Sequence, residues 1–390
     1  MKKSISILGS TGSIGINTLK ILKKKKLFKI NILAANKNYK LICKQIIEFR
    51  PNIFLINDLT VLNKVKKKFK KSKIRFINIL DFENKKIRIS DITIAAIPGI
   101  AGLKPTIELT KKSKKILIAN KESIICGWNL IKKAALNNNT KIVPVDSEHF
   151  SIMKLLENQK TQDIEKIYLT ASGGPFLNYN LSKMKKAGPS LAIKHPKWKM
   201  GKKISIDSAT MMNKILEVIE AQKIFSLDLK KIDIIIHPES LIHAIIKLKN
   251  GIYKFIYHET TMMIPLANEI FDNNLNINDF LRIKDKAKQN FFFNNLNFLQ
   301  VDKKKFPVIK LKHRISEFHS TPIIINAVNE ILVDQYLKKR IPFMSFFKHI
   351  SGVLNDSNYK KYAIKVPKNI DQIFLIDEWA RKTILKKINH

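Results

Sequence analysis

The opening of the chain constrains its fold most. SISIL at 4–8 is a short apolar run, GSTGSIG follows at 9–15, and NTLKILKKKK reads as a helix. A buried strand that turns on glycines directly into a helix starts a strand–helix–strand unit, and such units build parallel sheets. The pattern continues with strands at 29–35, 52–56, 91–96, 115–119 and 141–145, and helices at 39–49 and 58–70. Strands this continuously apolar are buried on both faces, so helices must cover both sides of the sheet.

The spacing G-x-x-G-x-x-G lets backbone approach a phosphate closely, and the helix that follows offers unpaired N–H groups and a positive dipole end. Thr11 and Ser13 add hydroxyl donors. A plain strand-to-helix turn is the competing reading. At the end of the second strand, where an NAD site places an acid, the chain reads AANKN at 34–38. Lys37, between Asn36 and Asn38, suits a 2′-phosphate and predicts NADPH over NADH. The plainer reading makes it one more surface lysine.

Past residue 164 the pattern changes. IEKIYLTA, KKIDIII, SLIHAIIKL and GIYKFIYHE read as strands of a second sheet, with a loop (HPKWKMG) and a strong helix (ATMMNKILEVIEAQKIF) among them. Residues 271–300 are rich in Asn, Asp and Phe and read as a linker; from 310 onward the periodicity is helical. With 390 residues and 45% hydrophobic composition, two or three domains are expected. The fold class read here is α/β, with an N-terminal Rossmann-like parallel sheet, an α+β catalytic domain and a C-terminal helical bundle. The boundaries are 1–150 for the nucleotide-binding domain, 151–270 for the catalytic and connective domain with a lid loop at 193–203, 271–300 for the linker, and 301–390 for the helical domain.

Lys and Arg number 72 against 31 Asp and Glu, a formal charge of +41. The lysines are spread through every segment among Ile and Asn, without finger spacing or an RNA-binding aromatic signature, so no specific nucleic-acid partner is expected. An anionic small substrate answers the charge equally well. Cys43 and Cys126 form no disulfide or zinc pattern, and no run approaches a membrane span or a signal sequence. A soluble cytoplasmic protein with no membrane partner is expected.

Against this basic background VPVDSEHF, 143–150, pairs two acids, Asp146 and Glu148. If strand geometry persists past IVPV, both point the same way. Neighbouring carboxylates are stabilised by a divalent cation, and oxygen ligands suit Mg²⁺ or Mn²⁺. The helix read at 208–224 offers a third ligand, with Ser208 as a possible N-cap and phosphate site. Asn213, Lys214 and Glu217 share one sector of it, and Glu220 competes with Glu217 on spacing alone. An amphipathic helix with solvated charges is the alternative. LTASGGPF at 169–176 ends a strand in a Ser/Gly-rich turn suited to oxyanions. In the loop at 193–203, His195, Trp198 and Gly201 suggest a lid; a packed tryptophan under a structural loop is the alternative.

ILGSTGSIG, LIANKES at 117–123, PVDSEH at 144–149, SGGPF at 172–176, HPKWKMGKKISIDSATMMNK at 195–214, LIHAII at 241–246 and INAVNEI at 325–331 occur in order along nearly the whole chain. Together they resemble the 1-deoxy-D-xylulose 5-phosphate reductoisomerase family. The resemblance implies NADPH- and divalent-metal-dependent conversion of 1-deoxy-D-xylulose 5-phosphate to 2-C-methyl-D-erythritol 4-phosphate, an isoprenoid precursor, by a homodimer. It implies Asp146, Glu148 and Glu217 as metal ligands, choosing Glu217 over Glu220. It further implies Ser172, Ser208, Asn213 and Lys214 as a phosphate clamp with His195 beside it, and Ser147 and Lys121 as contacts to the sugar backbone. Lys121 joins the three acids as a catalytic residue, and Glu148 and Glu217 also face substrate. Thr11, Gly12, Ser13, Ile14, Asn36, Lys37, Asn38, Asn120, Glu122 and Gly201 are implied as nucleotide contacts.

The chain departs from the family at Ile215 and Asn36, where glycine is usual, at Phe150, where a small polar residue is usual, and across 256–268, which lacks the Pro-Asp-Met pattern of the segment where the dimer contact is expected. Two other readings stand beside this one: a metal-free NADP-dependent dehydrogenase of another anionic substrate, and a basic nucleotide-binding protein.

Overall fold

The structure is a computed structural model that describes residues 2–25, 27–82, 87–198, 200–280 and 296–389. Residue 199 of the expected lid loop and residues 281–295 of the expected linker lie outside the described residues. The chain divides into two compact units. One comprises 1–123, 129–146 and 262–290; the other comprises 124–128, 147–261 and 291–390.

In chain order the first unit contributes β1 (Lys3–Leu8), α1 (Ser13–Lys24), β2 (Phe28–Ala35), α2 (Tyr39–Phe49), β3 (Ile53–Ile56), α3 (Leu59–Lys68), β4 (Arg75–Asn78), β5 (Ser90–Ala95), α4 (Leu103–Thr110), β6 (Ser113–Ile118) and α5 (Lys121–Asn137), then β7 (Lys141–Pro144). The second opens with α6 (Ser147–Leu156), β8 (Ile164–Ala171), α7 (Leu181–Lys185), α8 (Pro189–Ala192), α9 (Lys202–Thr210), α10 (Met212–Phe225), β9 (Ile232–Ile236), β10 (Ile242–Leu248) and β11 (Tyr253–Tyr257). Then α11 (Met263–Ile270) returns to the first unit. β12 (Leu299–Gln300), α12 (Thr321–Leu337), α13 (Phe346–Leu354), α14 (Tyr359–Ala363) and α15 (Ile370–Asn389) complete the second.

The first unit is a parallel sheet of seven strands in the order β4-β3-β2-β1-β5-β6-β7. Ile5, Ile7, Ile32, Leu33, Phe54, Leu55, Ile94, Ile116 and Leu117 are almost wholly buried, as continuous apolar strands between two helical layers require. Leu8 pairs with Ala34 of β2 on one side and Ala95 of β5 on the other. The strand order therefore reverses at β1, and the glycine loop leaves from that switch point, where open α/β sheets bind ligands. Sequence reading missed β4, a short strand whose RFIN carries little apolar signal.

In the second unit the sheet runs β11-β10-β8-β9-β12. β8 and β9 are parallel, and the remaining pairs are antiparallel. α6 packs on β10, and α10 packs on β8 and β9. α12, α13 and α15 pack on one another. α12 is buried nearly all round, which explains its unbroken PIIINAVNEILV.

Two local expectations change. Strand geometry stops at Pro144, and α6 begins at Ser147, so Asp146 and Glu148 do not share a strand face. The helix read at 208–224 is two helices. Met211, at φ 67°, ends α9 and starts α10, so Ser208 lies in the last turn of α9 and caps nothing at its own N-terminus. A left-handed residue between two helical runs leaves no sequence signal when it is a buried Met instead of a Gly.

Candidate active site

In the first unit the glycine loop is shaped by close approach. Gly9 has φ 82°, and a Cβ there would lie 2.4 Å from Ala96 O; at Gly15 it would lie 2.4 Å from Gly9 O. The N–H groups of Gly9 and Ser10 both donate to Ala34 O, at 3.0 and 2.8 Å. No side chain caps α1, whose N-cap is Gly12 and whose first turn holds Ser13 and Ile14 and no acid. Its N–H groups and dipole are thus left for an anion beside Thr11.

Gln45 holds this loop from behind. Ser10 Oγ donates to Gln45 Oε1 at 2.7 Å, and Gln45 Nε2 donates to Ser10 O at 2.8 Å, both buried. Sequence reading passed over this residue. Its one signal was a polar side chain on the face of α2 that also carries Ile42 and Ile46.

At the end of β2, Asn57 Nδ2 donates to Asn36 Oδ1 at 3.2 Å, and Asn78 Nδ2 donates to Asn57 O at 3.0 Å. Three asparagines thus step across adjacent strand ends. Asn36 has no positive φ, so its turn needs no left-handed residue. Lys37 is exposed beside it. Asn38 caps α2, its side chain accepting from Leu41 N at 3.2 Å.

Asn120 caps α5. It accepts from Ser123 N at 2.5 Å and donates to Ile97 O and, at 3.0 Å, to Gly99 O. Lys121 and Glu122 follow in the first turn, both buried. Lys121 Nζ lies 3.1 Å from Asp146 Oδ2.

Gly201 belongs to the second unit, as N-cap of α9. In that unit Lys214 Nζ reaches Glu148 Oε1 and, at 2.5 Å, Glu217 Oε2. Asn213 Nδ2 donates to Glu217 Oε1, and Ser147 Oγ donates to Glu148 Oε2 at 2.8 Å. His149, missed earlier although it follows the acids directly, bonds through Nε2 to Glu217 O at 3.0 Å and joins α6 to α10. Glu217 is fully buried, and Glu148 and Lys214 nearly so. Burial works to lower the Lys214 pKa, but the carboxylates of Glu148 and Glu217 outweigh it and hold it above the ordinary lysine value. Glu220 points instead toward His149, with Oε2 4.0 Å from Nδ1.

The SGGPF turn lies beside Ser208, since a Cβ on Gly174 (φ 64°) would be 3.0 Å from Ser208 O. His195 Nδ1 accepts from the N–H groups of Lys197 and Trp198 at 3.1 and 2.9 Å. The neutral ring therefore carries its proton on Nε2, which donates to Ser172 Oγ at 2.9 Å. Gly174 N also donates to that oxygen, at 3.1 Å. Ser172 keeps its own O–H to donate elsewhere. Burial first, and the charge of Lys214 second, push the His195 pKa down to about 4.

A parallel sheet with an uncapped glycine-loop helix at its switch point, continued by a unit rich in buried carboxylates, has the architecture of a dinucleotide-dependent oxidoreductase. Family models match residues 5–127 (1-deoxy-D-xylulose 5-phosphate reductoisomerase), 142–225 (its C-terminal domain) and 259–383 (DXP reductoisomerase C-terminal domain). The chain belongs to the 1-deoxy-D-xylulose 5-phosphate reductoisomerase family.

It is 44% identical to the Pelagibacter ubique 1-deoxy-D-xylulose 5-phosphate reductoisomerase over 383 residues, 97% of each chain. It is 38% identical to that of a Wolbachia strain from Drosophila simulans, over 90% of each. A crystal structure of DOX-P reductoisomerase with NADPH, fosmidomycin and magnesium superposes with TM-score 0.90 at 28% identity, over 99% of this chain and 98% of that one. The Zymomonas mobilis enzyme with NADPH gives 0.88 at 30% identity, over 100% and 99%. Family membership disfavours both the metal-free dehydrogenase and the basic nucleotide-binding protein. Among the described residues no helix is long and apolar enough to cross a membrane.

Proposed function

We propose that this chain uses NADPH and a divalent cation, Mg²⁺ or Mn²⁺, to convert 1-deoxy-D-xylulose 5-phosphate to 2-C-methyl-D-erythritol 4-phosphate. The observation that carries the reading is the approach of Glu148 and Glu217, from separate helices, to within 4.8 Å of one another around the Lys214 ammonium. Two buried carboxylates gathered on one positive charge are a donor set that fits a divalent cation. Asp146 is two residues from Glu148, so their Cα atoms are at most about 7 Å apart, and we assign it as the third ligand.

The cation supplies Lewis acidity to the ketone and neighbouring hydroxyl oxygens of the substrate. NADPH supplies the hydride.

The remaining work falls to side chains. The N-terminus of α10 has no side-chain cap and no acid in its first turn, and Asn213 and Lys214 sit there, which suits a phosphate dianion. Ser172 contributes its free O–H, Ser208 lies beside the SGGPF turn, and neutral His195 fixes Ser172. Phosphate binding is remote from the reacting carbons and helps to hold the loop at 193–203 closed over them. Lys121 and Ser147 orient the sugar oxygens, each through an acid it already touches. Thr11, Gly12, Ser13 and Ile14 receive the pyrophosphate, and Asn36, Lys37 and Asn38 the 2′-phosphate. Asn120, Glu122 and Gly201 line the rest of the nucleotide.

The protein acts as a homodimer in the cytoplasm, without nucleic-acid or membrane partners. β11 supports the dimer: it is an edge strand that leaves Tyr253 and Phe255 half-exposed, a surface suited to a second copy. Cys43 and Cys126, both buried and neither in a disulfide, suit a reducing compartment. NADPH oxidation with 1-deoxy-D-xylulose 5-phosphate, followed with and without Mg²⁺ or Mn²⁺, tests the reading. Turnover that survives full chelation would refute it.

A further inference from the structure

Four aromatic rings of the second unit form a continuous ladder. Trp198 meets His243 edge-on, with ring centroids 6.0 Å apart at 67°. His243 stacks on His258 at 4.1 Å and 19°. His258 meets Phe150 edge-on at 6.2 Å and 72°. One end is the loop at 193–203, where the N–H of Trp198 donates to His195. The other is the first turns of α6, two residues past Glu148. His243 and His258 are buried.

We propose that His258 is a positioning residue: its stack on His243, braced by Phe150, holds Trp198 and with it the loop in place over the substrate. The proposal rests on reading that loop as a lid. His258 makes its hydrogen bond through Nδ1, to Glu259 O at 2.9 Å, and Nε2 has no hydrogen-bond partner among the described residues. Burial pushes its pKa below the ordinary histidine value, so it packs as a neutral ring. What it gives the ladder is a flat face, which another aromatic can supply. Phe150 and His258 both fall where the chain departs from the pattern of the resembled family. They touch each other, so the two departures make one packing unit.

The test measures kcat, both KM values and tryptophan fluorescence for the full-length enzyme with Mg²⁺. In the wild type, adding 1-deoxy-D-xylulose 5-phosphate should change a fluorescence component that Trp198→Phe removes. His258→Ala should abolish that change and raise the KM for this substrate about two- to tenfold, with the KM for NADPH and kcat little altered. His258→Phe should restore both readouts. Phe150→Leu, which keeps an apolar side chain but loses the edge contact, should give a smaller change of the same kind and serves where the alanine variant folds poorly. An unchanged substrate KM in His258→Ala, an equal rise in both KM values, or failure of His258→Phe to restore would overturn the proposal. If wild-type fluorescence has no Trp198-dependent response, the lid reading itself fails, and the proposal with it.

Discussion

Lys214 Nζ lies 2.5 Å from Glu217 Oε2, three residues on along α10, and the same nitrogen reaches Glu148 from α6. The ammonium thus offsets one of the two charges of a carboxylate pair that burial alone would not tolerate as free anions. The cation-free protein therefore has its own counter-ion. Chelation should abolish NADPH oxidation yet leave the circular dichroism spectrum and the thermal midpoint close to those of untreated protein, and added Mn²⁺ or Mg²⁺ should restore turnover. Unfolding on chelation would contradict this account.

The acids and the exposed lysine of the nucleotide end should respond differently to substitution. On the proposed metal assignment Asp146→Asn and Glu217→Gln each remove a ligand oxygen's charge, and kcat should fall by more than about 100-fold. Lys37→Ala removes one exposed cation from the proposed nucleotide site. It should raise the KM for NADPH by about tenfold, worth about 1.4 kcal/mol, and leave kcat nearly unchanged. Steady-state kinetics on the three variants separates the two roles, and an Asp146→Asn enzyme with near-normal turnover would remove the metal assignment.

The parallel sheet apart from β4, and the helices α2 and α3, were legible because buried strands and amphipathic helices write their period into the chain. α2 was read at 39–49 and spans Tyr39–Phe49. The pairing of Asp146 and Glu148 stood out by the rarity of acids in a basic chain, but spacing alone did not choose between Glu217 and Glu220 as the proposed third ligand. The fold separates their surroundings, which no spacing encodes: Glu217 turns to Lys214, and Glu220 to His149. Supporting residues were not legible at all. Gln45 acts on Ser10 across 35 positions, and His258, just past β11, stacks on His243 of β10; no local pattern encodes such pairs. The break at Met211 was hidden because an apolar residue holds a backbone conformation that glycine usually announces.

His195 makes acid stability a test of its tautomer. Its pKa falls from 6.5 to about 4 in the fold, so between those values the unfolded chain binds more protons than the native one. Its stabilising contribution is complete above pH 6.5 and is lost as pH falls toward 4. Urea unfolding of cation-free protein across that window should show a declining midpoint, with a shallower decline in His195→Gln. Nitrogen chemical shifts of the wild-type ring should report a neutral imidazole protonated on Nε2 at pH 6. A ring already cationic there would refute the arrangement around Ser172.

Ile215 stands where the resembled family usually carries glycine, and its surroundings explain how the chain tolerates it. The side chain is wholly buried in α10, between Lys214 and Glu217 in sequence but packed into the core. Reverting it to glycine combines two losses: a buried aliphatic side chain, and the higher backbone entropy of glycine in a helix interior. Together they should cost about 3–6 kcal/mol. The acids and Lys214 keep their own side chains, so the expected signature is a lower urea midpoint with the substrate KM of the folded fraction close to wild type. A glycine variant as stable as wild type would mean that the core has closed over the gap, and a changed KM at unchanged stability would mean that Ile215 sets the orientation of Lys214.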